Sequence, residues 1–177
     1  LKVGRITDRG EIDLPAFLAQ IGPATRLVGV AHVSNALGTV NPVAEIIAAA
    51  RRHGALTLVD GAQAVAHLPV DVQALDCDFY AFSGHKLHGP TGIGVLYGRE
   101  RVLGDLPPFQ GGGDMILTVS FTGTTFNELP YRFEAGTPAI AEAIGLGAAI
   151  EYLTAVGLPA IAAHEEALVG QAIDGLR

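Results

Sequence analysis

Three short apolar runs, Leu27 to Val33, Ala55 to Val59 and Phe79 to Phe82, recur about one helix and two turns apart, and this spacing constrains the fold most. They are rich in Val, Leu and aromatic residues and lack a period of two, so they read as buried, largely parallel strands. Between the first two, Asn41 reads as an N-cap, Pro42 as a first-turn residue, Val43, Ile46 and Ile47 as an apolar stripe, and Gly54 as the stop of a helix. The result is a βαβ unit. The expected class is α/β, a mainly parallel mixed sheet flanked by helices.

Further along, Gly92 to Tyr97 reads as another strand, and Thr137-Pro138 opens a helix running to about Ala155. Gly157 and Pro159 punctuate before a last helix, Ile161 to Leu176. From about Thr154 the chain is expected to leave the main sheet. Pro107 to Glu128, with Gly111-Gly112-Gly113 and many threonines, reads as a long loop or hairpin excursion. The chain opens at Leu1 and ends at Arg177 inside a helical pattern, so it is expected to be part of a longer protein.

With 177 residues and 49% hydrophobic content, the chain suffices for one domain with a full-sized core. A net charge of -7 without clustered Lys and Arg gives no footprint for nucleic acid or acidic membranes. No apolar run reaches the roughly 18 to 20 residues needed to cross a bilayer. The one cysteine, Cys77, excludes an intrachain disulfide and suits a reducing compartment, so a cytoplasmic location is expected. Cys77 enters a strand and reads as a buried small residue, and the pair His85 and His88 lacks the further ligands of a zinc site.

Lysine is almost absent: Lys2 and Lys86 are the only two among 11 basic residues. Lys86 lies in Phe82-Ser83-Gly84-His85-Lys86-Leu87-His88-Gly89-Pro90, directly after a strand and among turn-forming residues. An amine there can act as a nucleophile toward an aldehyde, which a guanidinium cannot. One βαβ unit earlier, Asp60 ends the strand Ala55 to Val59, so an acid and an amine can face one crevice at the carboxyl ends of neighbouring strands. A solvated loop lysine and an aspartate serving a turn are the plainer readings of the same residues.

Together, His32-Val33-Ser34-Asn35, Val59-Asp60-Gly61-Ala62-Gln63, Ser83-Gly84-His85-Lys86 and Gly89-Pro90-Thr91-Gly92-Ile93-Gly94 resemble the fold-type I pyridoxal phosphate (PLP) enzymes of the class V aminotransferase group. Among these they are most similar to the cysteine desulfurases, in particular the SufS type. Gly111-Gly112-Gly113-Asp114-Met115-Ile116 and Arg132-Phe133-Glu134-Ala135-Gly136-Thr137-Pro138 extend the likeness over nearly the whole chain.

The resemblance implies that Lys86 holds the PLP aldehyde and later moves the proton at the substrate Cα. Asp60 would pair with the pyridinium nitrogen, Gln63 with the ring hydroxyl, Ser83 and His85 with the phosphate. Asn35 would face the cofactor and the substrate carboxylate, and Thr137 the phosphate of a neighbouring subunit in a homodimer. Residues 1–153 would be most of the large PLP-binding domain, and 154–177 the start of helices leading to a small domain. The implied reaction converts L-cysteine, or L-selenocysteine, to alanine, passing sulfur to an enzyme cysteine and then to an acceptor protein for Fe-S cluster assembly. Cys77 does not match that cysteine, and the fragment alone is expected to be incomplete. A selenocysteine lyase, a kynureninase-like hydrolase or an aminotransferase would share the same residues, and a non-catalytic docking fragment is the reading of a different kind.

Overall fold

A computed structural model describes residues 1–177. Its main sheet runs β1 (Leu27–Ala31), β2 (Leu56–Asp60), β3 (Phe79–Ser83) and β4 (Gly94–Gly98), in that spatial order. The first three strands are parallel, in the register Val30↔Val59 and Val59↔Tyr80, and β4 returns antiparallel along β3. This is the expected mixed, mostly parallel α/β sheet.

Helix α1 (Leu14–Leu18) precedes the sheet, and α2 (Val43–Arg52) links β1 to β2. The α2 face carrying Val43, Ile46, Ile47, Ala49 and Ala50 is buried. Ile46, Ala49 and Ala50 pack with Ile21, Val28 and Ala55; Val43 and Ile47 pack with Val59, Cys77 and Tyr80. Each such side chain removed from water contributes about 1.5–3 kcal/mol for the larger residues. Glu45 in the first turn and Arg51 and Arg52 in the last suit the helix dipole, and Gly54 at φ +69° ends the helix as expected.

Asn41 does not cap α2. Pro42 holds that position, while the Asn41 amide donates to the Ala31 carbonyl at 2.8 Å and its N–H to the His32 carbonyl at 2.8 Å. Asn41 is thereby spent on closing the loop after β1. The strands, expected to be buried, are only partly so. In β2, buried Thr57 and Val59 alternate with more exposed neighbours, because α2 covers one face of the sheet.

A short α3 (Val72–Leu75), capped by the Asp71 carboxylate, leads into β3. At the start of β3, buried Asp78 accepts from the Thr57 N–H at 2.9 Å and from its hydroxyl at 3.1 Å, locking β3 to β2. Helix α4 (Glu100–Asp105) follows β4. The stretch expected to be a loop or hairpin is a hairpin of β5 (Ile116–Ser120) and β6 (Gly123–Phe126).

Helix α5 (Ile140–Val156) starts later than Thr137-Pro138 suggests, since a residue before proline is pushed out of helical geometry. Thr154, where the chain is expected to leave the main sheet, lies within α5. The break comes at Gly157, where α6 (Leu158–Gly175) sets off at 74° with Pro159 in its first turn, so that proline starts the helix instead of preceding it. Leu146 and Leu153 of α5 pack with Ala66 and Leu87. That contact seats α5 against the segment after β3.

Candidate active site

The carboxyl ends of β1, β2 and β3 face the same way, and the residues singled out in the sequence gather there. Asp60 is the last residue of β2 and Ser83 the last of β3, with Asp60 in register with Ala81. A 3-10 turn, Gly84–Leu87, follows directly and carries His85 and Lys86. Gln63 lies in the turn after β2, and Asn35 in the loop after β1.

Three local devices hold these segments. The loop carrying Asn35 is closed by the Val33–Val40 bridge and by the Ser34 N–H donating to the Thr39 carbonyl at 2.9 Å; the Ser34 hydroxyl also accepts from the N–H groups of Ala36 and Leu37. At the end of β2, one Asp60 carboxylate oxygen accepts from the Ala62 N–H at 2.9 Å. That bond fixes the rotamer and leaves the second oxygen free. The lysine turn is pinned at its base, where the Gly84 N–H donates to the Ile93 carbonyl at 2.9 Å and the Gly89 N–H to the Gly84 carbonyl at 3.0 Å. A Cβ at Gly84 would lie 2.7 Å from Ile93 Cγ2 and 3.1 Å from the Ile93 carbonyl oxygen, so a larger residue would have to displace the Ile93 methyl and crowd its carbonyl. His88 ends the turn in the left-handed region at φ +58°.

The side chains of Asn35, Gln63, Ser83, His85 and Lys86 have no hydrogen-bond partner within the chain, and Gln63, Ser83 and Lys86 are nonetheless half-buried. The set contains one amine, one free carboxylate oxygen, an amide, a hydroxyl and an imidazole on adjoining strand ends. An aldehyde, a protonated ring nitrogen, a phenolic oxygen and a phosphate would each find a complementary partner, so the donor set fits PLP.

Thr137 stands apart. It is exposed on the loop leading into α5, makes no hydrogen bond, and does not cap that helix, whose N-cap is Ala139. Cys77 is fully buried, and burial, with the Asp78 carboxylate next, pushes its thiol above the usual range. It is a core residue at the opposite ends of the strands, entering β3.

Tyr80 went unmarked in the sequence, and His32 appeared only within a motif. Both are buried, and His32 Nδ1 lies 2.9 Å from Tyr80 Oη. Burial holds the His32 imidazole below its ordinary range and, with the neighbouring Cys77 and then Asp60 adding to it, raises the Tyr80 phenol well above its own. The available signal was weak: a histidine and a tyrosine inside apolar runs.

The family model described as aminotransferase class-V matches residues 1–177. A cysteine desulfurase of Dickeya dadantii (strain 3937) is 59% identical over 177 residues, which is 99% of this chain and 43% of the relative. The apo structure of a cysteine desulfurase from Thermococcus onnurineus NA1 superposes with a TM-score of 0.94 at 45% identity, covering 99% of this chain and 44% of that one. The Escherichia coli cysteine desulfurase CsdA gives a TM-score of 0.89 at 44% identity, over 93% of this chain and 41% of that one. A C-DES variant with glycine covalently linked to its PLP cofactor gives 0.72 at 37% identity, over 82% and 39%. The chain thus spans less than half the length of the relatives it matches.

Proposed function

The chain belongs to the class V aminotransferase family, and from that premise we propose that it is the lysine-bearing part of a PLP-dependent cysteine desulfurase. One observation carries the reading: Asp60, Ser83, His85 and Lys86 stand on adjoining strand ends, with one Asp60 carboxylate oxygen and the whole of the other three side chains unspent on the rest of the chain. Relatives and solved neighbours named cysteine desulfurase support the reaction class.

When bound, PLP supplies an electron sink for the pair left at the substrate Cα. The chain's own residues do the rest. Lys86 Nζ holds the cofactor aldehyde and then carries the proton at the substrate Cα. The Asp60 carboxylate keeps the ring nitrogen protonated, so the sink stays open. Gln63 would orient the ring through its hydroxyl, and Ser83 and His85 would hold the phosphate. Asn35 faces the substrate side from the closed loop after β1.

The finer reading is a SufS-type enzyme acting on L-cysteine, or L-selenocysteine, in the cytoplasm. It works as a homodimer in which Thr137 reaches the neighbouring subunit's phosphate, and it passes sulfur to an acceptor protein for Fe-S cluster assembly. Residues 1–153 belong to the large domain, and the chain from 154 leads toward a smaller one. The motifs around Asn35, Asp60 and Lys86 support this type.

The test is spectroscopic. The full-length protein loaded with PLP is expected to show a band at about 420 nm, and borohydride reduction is expected to fix the cofactor covalently to the Lys86 peptide. Lys86→Ala should abolish both the band and the covalent label. A wild-type protein that takes up no PLP, or a label on another residue, would refute the assignment.

A further inference from the structure

His32 and Tyr80 are the polar side chains beneath the strand ends that the reaction leaves without a task. His32 is 9% exposed and Tyr80 1%, and their rings meet edge-on with centroids 6.0 Å apart and planes at 85°. Both groups are held neutral, so the 2.9 Å contact is a neutral hydrogen bond in an apolar setting. Burying two polar groups costs more than burying two apolar ones of like shape, and one such bond roughly restores the balance. Packing alone would be served as well by apolar rings.

What the pair does is visible in its surroundings. It spans from the exit of β1 to β3, passing under the end of β2. The His32 N–H donates to the Asp60 carbonyl at 2.8 Å, and the Gly61 N–H donates to the Ala81 carbonyl at 2.8 Å. A Cβ on Gly61 would lie 1.9 Å from Tyr80 Cε1 and 2.3 Å from its hydroxyl oxygen. The phenol therefore fills the space directly behind the Asp60–Gly61 peptide. That peptide cannot sink toward α2 without meeting the ring, nor rise without losing a hydrogen bond on each side. Strand alternation sends the Asp60 side chain to the face opposite Tyr80.

We propose that the His32–Tyr80 pair is a positioning device for Asp60: it fixes, from behind, the height and direction at which the carboxylate meets the pyridinium nitrogen. Both rings act through the Asp60–Gly61 peptide. The proposal rests on the PLP reading of the site and adds to it two positioning residues and the reason why position 61 is glycine.

The test uses the full-length, PLP-loaded protein with Tyr80→Phe, which keeps the ring and removes the hydroxyl. Gly61→Ala pushes on the same peptide, and Val28→Ala serves as a core control remote from Asp60. The readouts are the pH midpoint of the visible band, the rate of PLP release to a trap, and the thermal midpoint. Tyr80→Phe and Gly61→Ala are expected to shift the band's midpoint and to release PLP about tenfold faster, the effect of one lost or misdirected hydrogen bond. Val28→Ala is expected to lower the thermal midpoint while leaving band and release at wild-type values. If Tyr80→Phe does not fold, Gly61→Ala and His32→Gln decide by the same readouts. Variants that behave like the core control overturn the positioning role and leave the PLP reading standing. A wild-type protein with no band overturns both.

Discussion

At the scale of single residues, the Asp60 side chain and the His32–Tyr80 pair lie on opposite faces of the sheet ends. Asp60 and Lys86 are available, while His32 and Tyr80 are tied to each other. This arrangement has a pH signature. The His32 value is lowered from the ordinary 6.5, so below that pH the unfolded chain takes up a proton that the folded one resists. The Tyr80 value is raised from the ordinary 10.0, so above that pH the unfolded chain releases a proton that the folded one keeps. The pair's contribution to stability is therefore full between about pH 6.5 and 10 and declines on both sides. In urea unfolding followed against pH, Tyr80→Phe should lose part of the alkaline decline; an identical alkaline limb in both proteins would show that the phenol is not protected.

At the scale of elements, the α2 crossover and the β3–turn–β4 ribbon were legible because each announces itself locally: an apolar stripe with a glycine stop, and a strand followed by turn formers. Asn41 was misread because its side chain answers to a carbonyl on β1, a partner that sequence spacing does not reveal. Asp60, Ser83 and Lys86 were legible because strand ends can be located from apolar runs. The Tyr80 hydroxyl was not, since its role depends on the sideways approach of His32 from two strands away. Helix α6 is weakly anchored: it has no buried residue, and its ties to the rest of the chain include the partly buried Ile161 and the pairing of Glu165 with His67 Nδ1 at 2.8 Å. That pair is nearly half exposed, so Glu165→Gln should change global stability by less than about 1 kcal/mol. It should nevertheless speed amide exchange in α6 and leave β1–β3 unchanged. Equal acceleration in the strands would show that α6 is part of the cooperative core.

At the scale of the whole molecule, the accessible surface is 11674 Å². A compact monomer of this mass would expose roughly 8,100 Å². The excess includes Val95 and Leu96 on β4, Leu117, Val119 and Phe121 on the hairpin, and Ile144, Ile150 and Tyr152 on α5. These 177 residues produced by themselves should therefore bind a hydrophobic dye such as anilinonaphthalene sulfonate well above the level of a compact monomer of equal mass. Background fluorescence would mean that the apolar faces close on one another in solution.

Because β4 returns antiparallel along β3, the ribbon that frames Lys86 joins strands that are neighbours in the chain, with only the lysine turn between them. The Asp60 arm takes its place only when β2 finds β1 across the whole of α2 and β3 across a further connection. Loop closure favours the first event over the second. On loop-closure entropy alone, the amine would be framed before the carboxylate is delivered to it.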